Sequence, residues 1–449
     1  MTDYDAIVVG AGQAGPGVAG DIAGRGERVA VVEMEQVGGT CLNHGCRPTK
    51  ALRASGVAAH RARRAAEYGI GTGEVTVDFT AVMERMHRMI DAMRQGLVDW
   101  LEGEQNIDLY RGTARLQTAA DGLHTVTVDG QVLTSRRVFL DLGARATRPP
   151  IPGLESVAAM TEVELLQLTE LPRHLVVIGG GYIGLEFGQM FHRFGSEVTI
   201  VAGERVAARE DPEVSTLIEQ LLTDEGVRVV AGQADQVAAQ GDQIVVTLRD
   251  GSAVTGSHLL VSTGRRSNAD LIGDAGLALD DHGFIAIDSR FQTSVPGVWA
   301  LGDVNGHGAF THTAYQDSQI LLDESRTVDG RITAYAMFTD PPLGRVGMTE
   351  TQARRSGRRV LKAEVPMSRV SRAVLDSETT GLMRILVDAD TEEILGATFF
   401  GLHGDDLAQL VGLAIQTGVR YPAVRDALPI HPTVAEFIPS MLRSLHPLA

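Results

Sequence analysis

Cys41 and Cys46 are the only cysteines in the 449-residue chain, and they lie five positions apart. Two thiols cannot complete a four-ligand structural zinc site, and structural disulfides are rare in reducing compartments. The spacing alone leaves two interpretations open, a redox couple or two ordinary buried thiols. Pro48 suits the first turn of a helix, which would place Cys46 near a helix N-terminus that lowers its pKa. Arg47 and Lys50 act in the same direction, so the local sequence indicates a reactive site.

A glycine-rich turn of the G-x-G-x-x-G kind is formed by Gly10, Gly12 and Gly15. The first glycine permits a tight turn, the second lets a pyrophosphate approach the backbone, and the third lets helix and strand pack closely. The apolar run 6–9 precedes the turn, and a second apolar run ends at Glu33, whose carboxylate can accept hydrogen bonds from an adenosine ribose. The pattern predicts a dinucleotide whose pyrophosphate lies at a helix N-terminus.

The same pattern returns 169 residues later at Gly179, Gly181 and Gly184. The position of the ribose-binding acid, 23 residues after the first glycine in both copies, is occupied here by Ala202. Arg205 lies just beyond it. A missing acid beside an arginine favours the 2′-phosphate of NADPH over NADH, although the residue before Arg205 is acidic.

Two strand–turn–helix–strand openings imply two nucleotide-binding domains. Apolar residues from 79 to 101 have helical spacing, and we interpret the methionines among them as a docking face for the core or a partner. Short apolar runs are predicted to form strands at 383–387 and 394–400. Helical stretches are predicted from about 405 to 417 and from about 433 to 445. The fold class is therefore α/β, with two Rossmann-like domains and a C-terminal α+β domain.

The composition, 44% apolar and 22% charged, is that of an ordinary globular protein. A net charge of −17 argues against binding to nucleic acids or anionic membranes. No apolar run reaches transmembrane length. Asp3 and Asp5 stand where a signal peptide carries positive charge. We expect a cytoplasmic protein that binds neither nucleic acid nor membrane and holds no metal.

Several motifs together resemble those of the pyridine-nucleotide disulfide oxidoreductases, which include glutathione reductase, dihydrolipoamide dehydrogenase and mercuric reductase. The resemblance covers essentially the whole chain. It rests on Gly39-Thr40-Cys41, Asn43, Gly45-Cys46, Pro48-Thr49-Lys50, Thr263-Gly264-Arg265-Arg266, Ala300-Leu301-Gly302-Asp303, His431-Pro432-Thr433 and Glu436.

The resemblance implies an FAD-dependent NAD(P)H:disulfide oxidoreductase that acts on a small disulfide or thiol. The C-terminal domain would form a homodimer with a shared active site. The implied domains are an FAD-binding domain in two parts, an NAD(P)H-binding domain and a dimerisation domain, at residues 1–147 and 268–336, 148–267, and 337–449. The implied FAD-binding residues are Gly10, Gly12, Gly15, Glu33, Gly39, Thr40, Lys50, Gly143 and Asp303. The implied NAD(P)H-binding residues are Gly179, Gly181, Tyr182, Gly184, Glu186, Arg205 and Gly264.

The resemblance also implies specific roles in catalysis. Cys46 would lie against the flavin, and Cys41 would attack the substrate disulfide. His431, oriented by Glu436, would be the acid–base group that protonates the leaving thiol. Lys50 and Glu186 would pair near the flavin ring, Tyr182 would cover it until the nicotinamide arrives, and Asp303 would hold the ribityl chain.

The particular member of the family is left open by the sequence. Residues 337–342 and 430–436 resemble a mercuric-reductase-like subgroup, but the chain lacks a C-terminal cysteine pair, so mercuric ion is expected to be a poor substrate. Arg47 replaces an expected aliphatic residue. The first interpretation is a reductase of a small disulfide or oxidised sulfur compound. The second is dihydrolipoamide dehydrogenase, which Pro429 disfavours. The third is a flavin-binding redox sensor or scaffold for a protein partner.

Overall fold

The computed structural model describes residues 1–448, and the first part of the chain alternates strands and helices. Its strands are β1 (Thr2–Asp3), β2 (Ala6–Val9), β3 (Val29–Glu33), β4 (Ile107–Arg111), β5 (Ala114–Gln117), β6 (His124–Val128), β7 (Gln131–Ser135), β8 (Val138–Leu140) and β9 (Ala144–Ala146). Its helices are α1 (Gly15–Gly24), α2 (Gly39–Asn43), α3 (Cys46–Arg63) and α4 (Phe79–Gly103). Strands β2 and β3 are buried along their whole length, as expected of central strands in a parallel sheet covered on both faces.

The middle of the chain repeats this arrangement. Its strands are β10 (Ala159–Met160), β11 (His174–Ile178), β12 (Glu197–Ala202), β13 (Arg228–Ala231), β14 (Ala234–Gln240), β15 (Gln243–Leu248), β16 (Ala253–Gly256), β17 (His258–Val261) and β18 (Arg265–Ser267). Its helices are α5 (Glu162–Leu165), α6 (Tyr182–Phe194) and α7 (Pro212–Glu225). Five of the strands form a parallel sheet in the order β10-β17-β11-β12-β13.

After this second sheet the chain returns to the first one. Strand β19 (Val298–Ala300) pairs in parallel with β8, which completes the order β19-β8-β2-β3-β4. Helix α8 (Thr311–Leu322) follows and packs against α1. The first nucleotide-binding sheet is therefore built from two separate stretches of sequence, and the carboxyl ends of its parallel strands meet at one edge, where open α/β sheets bind their ligands.

The C-terminal part has an antiparallel sheet in the order β20-β21-β24-β23-β22-β25. Its strands are β20 (Ala334–Met337), β21 (Leu343–Gly347), β22 (Val360–Pro366), β23 (Leu382–Asp388), β24 (Ile394–Phe400) and β25 (His446–Pro447). Its helices are α9 (Glu350–Arg355), α10 (Ser371–Leu375), α11 (Gly404–Gln416), α12 (Tyr421–Arg425) and α13 (Phe437–Met441). Helix α11 packs across β20, β21 and β24.

The fold class predicted from the sequence is confirmed, and most elements lie where the patterns placed them. Helix α4 buries Phe79, Met86 and Ile90, as its apolar spacing predicts, whereas Met93 and Trp100 of the same predicted face are more than one-third exposed. The helix predicted from about 433 to 445 is wrong in extent, since α13 covers only Phe437–Met441. Pro439 explains the late start, because proline is tolerated in the first helical turn and would interrupt a helix that began at 433.

The nucleotide-binding sheet of the middle part is attached to the C-terminal part through buried charges. Asp211, just before α7, accepts hydrogen bonds from the backbone amides of Glu350 and Thr351, each at 2.9 Å. Arg384 on β23 is almost fully buried and lies 3.2 Å from Asp211, 2.5 Å from Glu364 and 3.4 Å from Glu350. These contacts fix the position of the second nucleotide-binding unit relative to the C-terminal sheet.

Within residues 1–448, no helix combines the length and apolarity needed to cross a membrane. The same residues contain no group of three His, Cys, Asp or Glu side chains placed to hold a metal ion.

Candidate active site

Two helix N-termini converge on Cys46. Cys46 is the first residue of α3 and follows Gly45, which caps that helix. Thr311 is the first residue of α8, and its Oγ1 lies 3.1 Å from the Cys46 Sγ. Because helix N-termini carry partial positive charge, this position stabilises a thiolate. The sequence prediction that Pro48 would place Cys46 at a helix start is confirmed.

The two thiols of the pair have opposite pKa shifts. A hydrogen bond with Cys41 is the main cause that lowers the pKa of Cys46, and Thr311 and Lys50 add to it. The same hydrogen bond, together with burial, raises the pKa of Cys41. Cys41 is buried in α2, whereas Cys46 is exposed to the adjoining cavity. In the dithiol form Cys46 therefore carries the negative charge and Cys41 the proton.

Lys50 and Glu186 form an ion pair one helical turn beyond Cys46. Lys50 Nζ lies 2.8 Å from Glu186 Oε2 and 4.2 Å from the centre of the Phe338 ring. The other carboxylate oxygen of Glu186 accepts a 2.8 Å hydrogen bond from the Phe338 amide. Because Glu186 belongs to α6 and Phe338 follows β20, this pair connects all three parts of the fold beside the dithiol. The pairing that the family resemblance implied is present.

The first glycine turn forms a close-packed cradle at the N-terminus of α1. Gly10 has a φ of +101°, and a Cβ there would lie 2.2 Å from the Asp141 carbonyl oxygen. A Cβ on Gly39 would lie 2.9 Å from the Gly12 Cα. Only glycine lets the backbone approach this closely. Glu33 ends β3 and accepts a 2.9 Å hydrogen bond from the Ala11 amide. A cradle without side chains, a helix N-terminus and a carboxylate at the next strand end fit the diphosphate and adenosine ribose of FAD.

Asp141 is a buried carboxylate at this cradle that the sequence analysis missed. Its Oδ2 accepts hydrogen bonds from the amides of Gly15 at 2.8 Å and Ala14 at 3.2 Å. Burial raises its pKa to about 8, and the nearby charges of Asp303 and Glu33 act in the same direction. Its place at the end of β8, two residues before Gly143, is the one signal that could have identified it.

Four further predicted FAD-site residues lie around the same cavity, whose volume is about 1850 Å³. Gly39, Thr40, Gly143 and Asp303 all line it. Burial raises the pKa of Asp303 to about 6, and the negative charges of Cys46 and Asp317 add to the increase.

The second glycine turn reproduces the packing of the first. A Cβ on Gly179 would lie 2.4 Å from the Ser262 carbonyl oxygen, and one on Gly184 would lie 2.2 Å from the Gly179 carbonyl oxygen. Gly181 and Gly264 have no atom within 4 Å of their Cβ positions, so their backbones face open space.

The strand that follows this turn ends at buried Ala202. Arg205 is turned back onto its own loop, where it donates to the carbonyls of Ala208 at 3.0 Å and Glu210 at 3.1 Å. In this conformation the Arg205 guanidinium is held by carbonyl groups of its own loop and does not extend away from it.

Aromatic rings lie between the two nucleotide turns. Tyr182 is the first residue of α6, and its ring centre lies 6.1 Å from that of Phe310. Phe310 is stacked with Tyr335 and with His312, in both cases at 5.4 Å. The Tyr335 hydroxyl donates to Glu210. Burial raises the pKa of Tyr182 to about 12, so this phenol stays neutral. The cluster forms one wall of the cavity next to Thr311, and only Tyr182 was predicted from the sequence.

His431 and Glu436 form a pair that lies outside this cavity. His431 Nδ1 lies 3.0 Å from Glu436 Oε2 and 3.2 Å from Oε1. The imidazole is 76% exposed, whereas the glutamate is 14% exposed. The described chain therefore brings together the two cysteines, Lys50 and Glu186, but it does not bring His431 to them.

Comparison with known proteins agrees with this arrangement. Residues 4–318 match the family model for pyridine nucleotide-disulphide oxidoreductases, and residues 333–442 match the model for the dimerisation domain of the same family. The chain therefore belongs to the pyridine nucleotide-disulphide oxidoreductase family.

Its relatives include a probable pyridine nucleotide-disulfide oxidoreductase, RclA, of Escherichia coli, which is 32% identical over 97% of this chain and 98% of the relative. A mercuric reductase of Lysinibacillus sphaericus is also 32% identical, over 97% of this chain and 81% of the relative. The structure of E. coli RclA, described as the Cu(II) complex of an HOCl-induced flavoprotein disulfide reductase, superimposes with a TM-score of 0.88 at 31% identity over 99% of this chain and all of that chain. The chain is thus an enzyme of the flavoprotein disulfide reductase class, with FAD as the flavin expected of the family.

Proposed function

We propose that the enzyme oxidises NADPH and reduces a small disulfide or another oxidised sulfur compound through Cys41 and Cys46. The main support is the pair of helix N-termini that meet at Cys46, because they favour its thiolate while Cys41 keeps the proton. Such a polarised dithiol is suited to exchange with a disulfide and is not needed for structure.

The two thiols have different roles in this proposal. Cys41 passes its proton to a histidine base, His431, attacks one sulfur of the substrate as a thiolate and forms a mixed disulfide, and the first thiol leaves with that proton. Cys46 then attacks the Cys41 sulfur, which releases the second thiol and forms the Cys41–Cys46 disulfide. The substrate gains two electrons and two protons. The pair supplies both electrons and the Cys41 proton, and the second proton comes from solvent, because Cys46 starts as a thiolate.

FAD would be held by the first glycine cradle, Glu33, Lys50 and Asp303, and when bound it would pass electrons from the nicotinamide nucleotide to the Cys41–Cys46 disulfide. Lys50, fixed by Glu186, would place a positive charge beside the reacting sulfur. Tyr182 would cover the side of the cavity where the nicotinamide enters. Its ring is 37% exposed and packs on one side against Phe310, so it can move without disturbing the core.

We also propose that His431 acts on the dithiol of a partner subunit. Glu436 can accept a hydrogen bond from the Nδ1–H group of His431, which fixes the tautomer and leaves Nε2 free for proton exchange. An exposed imidazole held in this way supports a role at a surface that a second subunit covers. The match to a dimerisation domain makes that second subunit another copy of the chain.

The preference for NADPH is proposed from Ala202, which stands where a ribose-binding acid would favour NADH. The physiological substrate class is proposed to include sulfur compounds formed by oxidants, because the E. coli relative is described as an HOCl-induced disulfide reductase.

A Cys41→Ser variant tests the proposed chemistry. We expect it to lose disulfide reduction while NAD(P)H still bleaches the flavin, because Cys41 is needed only for exchange. Its free Cys46 thiolate should also produce a long-wavelength charge-transfer band. The measurements are steady-state oxidation of NADPH and NADH with a panel of disulfides, and the visible spectrum. Wild-type rates of disulfide reduction in Cys41→Ser would show that the proposed mechanism is wrong.

A further inference from the structure

Arg47 lines the same cavity as the dithiol and has no role in the chemistry described above. It is the second residue of α3, directly after Cys46, and its side chain is exposed on the wall of the same cavity. Its Nη1 lies 3.7 Å from the Met93 Sδ on α4, which is a weak contact. The charge of Arg47 acts on Cys41, the thiol proposed to attack the substrate, and favours its ionised form.

This guanidinium is not neutralised by the chain around it. Among residues 1–448, no carboxylate lies within 4.0 Å of Arg47. Of the other cations that line the cavity, Lys50 is paired with Glu186 and Arg265 with Glu162, whereas Arg85 on α4 donates to the Ala51 carbonyl.

The position of Arg47 also gives no benefit to its helix. Cations in the first turn oppose the helix dipole, and the first turn of α3 contains no acidic residue that could compensate. The charge of Arg47 instead adds to that of the helix N-terminus, so both create positive potential at the entrance to the dithiol.

Two methionines flank this charge with an adaptable apolar surface. Met89 and Met93 lie about one turn apart on α4, and both side chains remain more than one-third exposed in the cavity wall. Methionine side chains adjust to irregular shapes and make favourable contacts with sulfur and aliphatic groups. A guanidinium beside such a surface suits a ligand with a carbon–sulfur body and an anionic end.

We propose that Arg47 selects anionic disulfides by binding a carboxylate or sulfonate of the substrate, which places the S–S bond against Cys41. This inference rests on the proposed function and specifies its substrate class. The exchange itself is unchanged: the dithiol and one disulfide give two thiols and the Cys41–Cys46 disulfide, which the reaction with NADPH reduces again.

Three disulfides of matched length test this selection. 3,3′-Dithiodipropionate is a dianion, bis(2-hydroxyethyl) disulfide is neutral, and cystamine is a dication. We expect wild-type kcat/KM to fall in that order. Arg47→Met should lower the ratio of kcat/KM for the dianion to that for the neutral disulfide by roughly 10- to 100-fold, as loss of a charge-assisted hydrogen bond predicts. Arg47→Lys should give an intermediate ratio, and added salt should reduce the wild-type ratio.

A matched control is Arg88→Met, which removes an exposed arginine of α4 that does not line the cavity. It should leave the ratio unchanged. If Arg47→Met lowers kcat/KM equally for all three disulfides, Arg47 acts on the thiol. If the variant changes the oligomeric mass but not the ratio of kcat/KM values, Arg47 pairs with a partner subunit. Either result overturns the selection of anions while the reductase function stands. A wild-type enzyme whose flavin is bleached by NADPH but that reduces no disulfide would instead overturn the proposed function.

Discussion

At the scale of single residues, the reactivity of Cys46 depends on a hydroxyl 265 positions away. The 3.1 Å contact from Thr311 to Cys46 lowers the pKa of the thiol, in addition to the larger effect of Cys41. The pKa of Cys46 therefore depends on α8, which follows the return of the chain to its first sheet, and not only on α3, in which Cys46 lies.

Replacement of Thr311 by valine removes this hydroxyl with little change in volume. We expect the pKa of Cys46 to rise by about one unit, since hydrogen bonds to charged groups contribute about 1.5–3 kcal/mol. The measurement is the pH dependence of alkylation of the reduced enzyme, with Cys46→Ser as the control for reaction at Cys41. An unchanged titration in Thr311→Val would show that the contact does not stabilise the thiolate.

Asp141 is a second residue whose protonation state affects the stability of the protein and the charge beside the first glycine cradle. Its pKa is raised by burial from the ordinary 3.8 to about 8, so the folded protein binds this proton more tightly than the unfolded chain. Stability linked to this group is therefore fully present below about pH 3.8 and is lost as pH rises toward about 8. Above that range an anionic carboxylate lies beside the cradle proposed for the FAD diphosphate.

We predict that the wild-type enzyme releases FAD more readily as pH rises through about 8. Asp141→Asn keeps an acceptor for the Gly15 amide but carries no charge. At high pH its Kd for FAD should therefore be about tenfold lower than that of the wild type, and its Kd should change less with pH. Flavin fluorescence after equilibrium dialysis measures both quantities. Asp274→Asn, an exposed carboxylate, is the control. Equal FAD retention by wild type and Asp141→Asn across this pH range would contradict the prediction.

The residues that could be predicted from sequence are those with local patterns. Pro48, two residues after Cys46, predicts the helix start, and the repeated spacing of the glycines predicts the two turns. Asp141 and Thr311 could not be predicted in the same way. Each acts on groups more than one hundred residues away, so only the assembled sheet reveals the contact.

At the scale of elements, the ends of β3 and β12 are equivalent positions with different residues. Glu33 ends β3 and accepts a hydrogen bond from Ala11, the second residue of the first glycine turn. Ala202 ends β12, and the Cβ position of Gly180, the second residue of the other turn, lies 2.7 Å from the Ala202 Cβ. The two glycine turns therefore have the same backbone geometry as well as the same sequence spacing. They differ in the residue at the strand end, which in the second unit offers no carboxylate to a ligand.

Ala202→Glu should transfer the ribose-binding carboxylate to the second unit. We expect the ratio of kcat/KM for NADH to that for NADPH to rise by about tenfold or more, because the acid accepts from ribose hydroxyls and repels a 2′-phosphate. Ala202→Gln is the matched control, since it adds similar volume without charge. A wild-type enzyme with a clearly higher kcat/KM for NADH would remove the basis for this prediction.

Elements with strong periodicity were predicted well, and elements interrupted by proline were not. The regular apolar spacing over residues 79–101 predicted a helix there, and α4 covers this range within its 25 residues. The region after residue 432 has helical spacing too, but Pro439 restricts the helix to one short turn. The neighbouring backbone is instead arranged around the His431–Glu436 pair.

At the scale of the whole molecule, the proposed site is divided between regions of one chain that do not meet. His431 is largely exposed and outside the cavity that contains Cys41 and Cys46. The apolar side chains of Leu413, Leu428 and Ile430 are also more than half exposed on the same C-terminal part. These features favour a homodimer in which each histidine serves the other subunit.

Co-expression of Cys46→Ser with His431→Ala tests this arrangement. Each variant alone should be nearly inactive. If the histidine acts across the interface, the mixed dimer contains one site with both substitutions and one with neither, so activity should return to about half that of wild type. Activity is measured on mixed dimers isolated with two different affinity tags. Inactive mixed dimers with bound FAD and normal folding would exclude a shared site.

The buried Arg384 cluster limits how easily the middle part of the enzyme could be exchanged for another cofactor-binding unit, by evolution or by engineering. The middle part has its own sheet, helices and glycine turn, and it resembles a module that could be exchanged with another cofactor-binding unit. Its Asp211 and Glu213, however, find their counter-charge on β23 of the C-terminal part. Exchange of the middle part would remove two of the four acids around that arginine and leave Glu350 and Glu364. The cost would therefore lie below the about 3–5 kcal/mol that loss of the only partner of a buried charge typically causes. Nucleotide specificity in this chain is therefore more easily altered by substitutions at the end of β12 than by exchange of the whole unit.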